Sequence, residues 1–191
     1  EQFDEKHAKL SNDLPTLPPE KQRSVLGDFL CDHPEWDYPR RRTELAQLHK
    51  KMMELGGDID KSRWDAVVKK FEEFRQLCER LGDGTRLEAV HREYDGLLAQ
   101  IKDYQRQTDP APQRADDADK LRTHALLLLD KAEWKDVELF ASKNDKDYEA
   151  IAERAKQYLD GNDRIKADQR TYKKDAERMI RQAIADRCRE L

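Results

Sequence analysis

The chain has 191 residues, 41% of them charged and 37% hydrophobic, and its 37 Lys and Arg stand against 41 Asp and Glu for a net charge of −4. The two signs interleave without a dominant basic stripe, which excludes sequence-specific DNA or RNA binding, because phosphate neutralisation needs concentrated positive charge. The aromatics (3 Trp, 6 Tyr and 5 Phe) exclude disorder, and only 7 Gly and 7 Pro point to long helices with a narrow buried stripe.

In chain order, residues 2–11 read as a short helix ended by Pro15, Pro18 and Pro19, with Pro19 suited to the first turn of the next. That second helix, about 20–31, places Val25, Leu26, Phe29 and Leu30 on one side. Residues 33–39 form a proline-bounded loop, since a residue before proline leaves the helical region. A third helix, 39–55, is expected to stop at Gly56-Gly57, and Ser62 with Asp65 resembles a capping box that opens another over 62–81. Thr85 with Glu88 opens the helix 85–107 in the same way. Residues 108–117, with Pro110 and Pro112, are the linker. Helices follow near 115–130, 132–159 and 163–190, the middle one broken at Asn144-Asp145, where side chains compete for backbone hydrogen bonds.

The second half repeats the plan of the first. Trp64, Val67, Phe71, Phe74, Cys78 and Leu81 lead to Asp83-Gly84 and then to Leu87, Tyr94 and Ile101. About 77 residues later, Trp134, Val137, Tyr148, Ile151, Ala155 and Tyr158 lead to Asp160-Gly161 and then to Ile165, Tyr172 and Met179. The second copy carries about two helical turns more between its Trp and its Tyr, an insertion that keeps the stripe on one face. The expected fold is all-α: an elongated array of antiparallel helices, with a helical extension and loop (1–38) and two tandem three-helix bundle-like units (39–108 and 115–191), coiled-coil-like in packing. The early Trp in a three-helix pattern is similar to spectrin-type bundles in architecture, although these helices are shorter and no motif specific to that family is matched.

Chemistry is represented mainly by absences. There is no GxGxxG, no GxxxxGK[ST] and no HExxH, and the five His never pair at i,i+4. Cys31-Asp32-His33 lacks the second ligand pair of a zinc site. Asp58, Asp60 and Ser62 begin like a calcium loop, but Arg63 and Lys69 stand where glycine and glutamate are needed. Glu88 and His91 share a helix face and read as solvated. No catalytic, cofactor-binding or metal residue is assigned, and narrow bundles offer few pockets, so the chain is expected not to be an enzyme. Cys31, Cys78 and Cys188 are odd in number and far apart, which points to a reducing, cytoplasmic compartment. The longest apolar run, 125–129, is too short to cross a bilayer.

The candidate protein-binding residues are Trp36, Tyr38, Arg40, Arg41 and Arg42, because Trp, Tyr and Arg together are the types enriched at interface hot spots. The expected function is a non-catalytic helical protein–protein interaction or scaffold module with another protein as partner. The alternative is a regulatory or accessory helical domain of an enzyme whose catalytic part lies elsewhere. A chain that begins with Glu1 in place of Met is expected to be a segment of a larger protein.

Overall fold

The computed structural model describes residues 2–34, 38–107 and 112–190. The chain is all-α. Among the described residues its helices are α1 (Gln2–Asp13), α2 (Pro19–Asp32), α3 (Arg42–Glu79), α4 (Leu87–Gln107), α5 (Pro112–Lys143), α6 (Tyr148–Asp160) and α7 (Lys173–Glu190), with short 3-10 turns at Leu14–Thr16, Pro39–Arg41 and Ala167–Gln169. None of these helices is long and apolar enough to cross a membrane. Two compact units, Glu1–Ala66 and Val67–Leu191, divide the chain at a point inside α3.

In the first unit, one core collects Phe3 and Leu10 of α1, Leu14 of the first 3-10 turn, Leu26, Phe29 and Leu30 of α2, and Leu45 and Leu48 of α3. Pro18 is extended and Pro19 opens α2, so the prolines set the corner as their fixed φ requires. Val25 departs from its expected buried face and is 37% exposed.

The glycine pair does not end a helix. Residues 42–79 form one continuous helix through Gly56-Gly57, and Ser62 lies in its interior instead of at a cap. Glycine stops a helix when it takes a positive φ, and neither of these does. The cost of each glycine in a helix interior, about 1 kcal/mol, is offset by packing on either side, where Leu55 lies against the core and Ile59 is buried. Gly56 also gives room to α2, since a Cβ there would stand 3.3 Å from Nε of Arg23.

In the second unit, α4 packs on α5, α5 on α6, and α6 on α7. Small residues set these close approaches: Ala118, Ala125 and Ala132 are buried on α5, Ala152 and Ala155 on α6, and Ala176 and Ala183 on α7. Larger side chains fill the space between, with Val90, Leu97 and Ile101 of α4 and Leu129 of α5 almost wholly removed from water. The expected interruption near residue 131 is absent, and α5 runs unbroken to Lys143. The break at Asn144-Asp145 is present. Asn144 Nδ2 donates to the Phe140 carbonyl at 2.8 Å, and Asp147 caps α6 by accepting from Ala150 N at 3.1 Å.

The last helix begins at Lys173, not near 163. A strap over 161–172 precedes it, started by Gly161 at φ +77° and by Asn162, whose Oδ1 accepts from the N–H groups of Arg164 and Ile165, both at 2.9 Å. Gly84, in the Asp83-Gly84 turn between α3 and α4, likewise has a positive φ of +85°. The two turns are alike in that glycine alone, for Leu81 bridges Thr85 in parallel whereas Gly161 bridges Lys166 antiparallel. The two tryptophans are less alike: Trp64 shares one unbroken helix with Phe74 and Cys78, whereas the Asn144 break separates Trp134 from Ile151 and Tyr158.

Candidate functional site

Of the loop residues singled out from sequence, Trp36 lies outside the described residues. Tyr38 is half-buried and packs on the first core, its ring 5.2 Å from Phe3 and 5.3 Å from His33. Arg41 pairs with Asp4 and with Glu44, the latter at 3.1 Å, and its guanidinium lies 5.6 Å from the Phe3 ring centroid. Two members of the set therefore tie α1 to the start of α3, while Arg40 and Arg42 are exposed. His33 of the Cys31-Asp32-His33 triplet is buried, stacked 4.3 Å from Phe29, with Nδ1 2.9 Å from the Phe29 carbonyl, whereas Cys31 is exposed. Among the described residues no group of three or more His, Cys, Asp or Glu is placed to hold a metal ion.

The second unit contains a buried charge cluster that no local sequence pattern announces. Asp130 and Glu133, one turn apart on α5, both meet Arg170 of the strap, and the three side chains are 2%, 6% and 1% exposed. Arg170 Nη1 donates to Asp130 at 3.2 Å and to Glu133. Asp130 also accepts from Tyr158 Oη and from Thr171 N, both at 2.8 Å, and Tyr158 Oη in turn accepts from Tyr172 N at 3.2 Å. Glu133 also accepts from Asn162 Nδ2 at 3.0 Å and from His91 Nε2 at 2.8 Å, an arrangement in which Nε2 carries the proton. The Arg170 guanidinium lies 4.4 Å from the Tyr158 ring centroid.

Burial works to raise the Glu133 carboxyl, but hydrogen bonds from His91, Arg170 and Asn162, with the Arg170 charge, outweigh it and hold the group below its ordinary 4.5. Burial, reinforced by the bond to Asp130, pushes the Tyr158 phenol up. Burial likewise raises the Cys78 thiol to about 12, which leaves it an inert core residue. A recess of about 250 Å³ opens beside the cluster, lined by His91, Glu133, Arg154, Asn162 and Arg170 among others. Arg154 is matched there by Asp136 at 2.6 Å. His91, Glu133, Asp136 and Arg154 are thus engaged with one another or with Arg170, whose own Nε is buried without a hydrogen-bond partner, and the recess is smaller than the roughly 300–1,000 Å³ of ligand pockets.

A larger groove, about 720 Å³, lies among α5, α6 and α7. Its floor is Trp134, Tyr148, Ile151, Tyr172, Met179 and Ala183, and its rim carries Glu138, Asp145, Asp175 and Asp186 against one cation, Arg178. Trp134 and Tyr172 stack with ring centroids 5.9 Å apart and planes 10° from parallel, so the buried indole backs the half-buried Tyr172 ring in the floor. The break at Asn144 opens the groove, since it turns α6 off from α5 just where Tyr148 enters the lining. Sequence reasoning placed Trp134, Tyr148, Tyr172 and Met179 on one inward-facing apolar stripe; Trp134 is buried, while the half-buried Tyr148, Tyr172 and Met179 also line the groove. No protein-family model, no curated protein and no solved structure matches the chain.

Proposed function

We propose that the chain is a non-catalytic helical protein–protein interaction module, part of a larger protein or assembly, and that the α5–α6–α7 groove is its binding face. One observation carries this reading: the half-buried Tyr148, Tyr172 and Met179 line an open groove, with the buried Trp134 beneath them. Trp and Tyr are the side chains that most often anchor protein interfaces, and Met adapts to varied partners. The absence of a catalytic motif in the sequence supports a binding role, as does a recess in which His91, Glu133 and Arg154 are already paired.

The test places a photo-crosslinking side chain at Gln182, on the groove, or at Lys50, an exposed position in the first unit, in the cells that make the protein. A discrete adduct with another polypeptide is expected from position 182, none from position 50, and loss of the adduct when Met179→Glu is added. Equal adducts from both positions, or none from either, would rule the groove out as the binding face.

A further inference from the structure

Resting on that reading, we propose that the groove receives a basic amphipathic helix of a partner polypeptide, its apolar stripe on the aromatic floor and its Lys and Arg flanks against the rim. The argument is one of charge. The chain as a whole nearly balances its signs, yet the rim sets four carboxylates against a single guanidinium. Glu138 and Asp145 are exposed. Asp175 pairs with Arg178 and Asp186 with Arg189, each at 3.2 Å, and Asp186 also accepts from Gln182 Nε2 at 2.9 Å, all exposed partners on the same helix. Such surface pairs are weak and exchange readily for an incoming cation.

The form of the occupant follows from the walls. Among the described residues the walls are helices and no sheet edge is offered, so a strand cannot be added, and an amphipathic helix is the occupant that brings both an apolar stripe to the floor and cationic flanks to the rim. A volume of about 720 Å³ suits the apolar stripe of about two turns of such a helix. The same rim opposes an acidic helix, a nucleic acid or an anionic lipid surface, each of which would bring like charge to it.

The experiment uses the full chain and three labelled synthetic helices of about five turns that share one Leu/Phe stripe and carry Lys, Gln or Glu on the flanks. By fluorescence anisotropy at low salt, the Lys helix is expected to bind at least tenfold tighter than the Glu helix, with the Gln helix between them and the preference shrinking as salt rises. The double substitution Glu138→Lys/Asp145→Lys, at two exposed positions, is expected to abolish or invert that order while leaving the helical circular dichroism and the melt unchanged. Equal binding of the three helices, an unchanged preference in the double variant, or self-association that Met179→Glu abolishes would each overturn the proposal. If the adduct from position 182 forms while the helices bind equally or not at all, the basic occupant is refuted and the interaction module stands. If no adduct forms and no helix binds, both fall.

Discussion

Arg170 is the residue on which the interior of the second unit turns, because it neutralises two carboxylates that α5 has taken out of water. Arg170→Ala leaves Asp130 and Glu133 buried without their cation and is expected to cost about 3–5 kcal/mol, as broken buried pairs do. Acid tests the same cluster. The folded Glu133 carboxyl sits below its ordinary value, so its contribution is complete above pH 4.5 and is lost as pH falls through the lowered value. Urea denaturation from pH 7 downward is expected to show that acid-labile component in the native chain and little of it in Arg170→Ala; equal slopes in both would separate Arg170 from the titration. None of this was legible in the sequence. His91 and Glu133 are 42 positions apart, and Glu133 and Arg170 are 37 apart, whereas spacing arguments reach only the next turn of one helix. His91 therefore read as solvated beside Glu88, when its partner stood on another helix.

The helices themselves were largely legible, since apolar periodicity and proline are local signals. The corner at Pro18-Pro19 and the break at Asn144 were read from single residues, and both stand. The misreading at Gly56-Gly57 has a physical source: glycine permits a helix end without compelling one, and packing decides. Gly57 lies in a helix with open space where a Cβ would go, so Gly57→Ala is expected to stabilise the chain by about 0.5–1 kcal/mol. Gly161 is the opposite case, at φ +77° with a Cβ position 2.6 Å from the Ile165 carbonyl oxygen, and Gly161→Ala is expected to destabilise. Thermal melts of the two variants shifting in the same direction would contradict this account of both glycines. The start of α7 was missed for a related reason, because Asn162 holds the backbone of the strap in a turn that periodicity does not register.

At the scale of the molecule, two cores share one helix, because the division between the units falls within α3. Leu26 is fully buried in the first core, and Leu26→Ala is expected to cost about 2–5 kcal/mol. Hydrogen exchange should place that loss in α1, α2 and the first half of α3, with protection in α6 and α7 retained; equal loss everywhere would mean a single cooperative body. The sequence-based division instead falls at the proline-rich stretch near 108–117 and follows the repeat, since repeats and linkers are visible in a sequence while the closeness of packing is not. The strap has a role in any docking at the groove. Asp130 holds the backbone of Thr171, and the phenol of Tyr158 holds that of Tyr172, whose ring stacks on Trp134. The shape of the outer face is consequently governed from within. The Tyr158 phenol thus ties the backbone under the outer ring to a carboxylate hidden in the interior, and removing that one hydroxyl would leave the Tyr172 N–H and Asp130 each short of a partner.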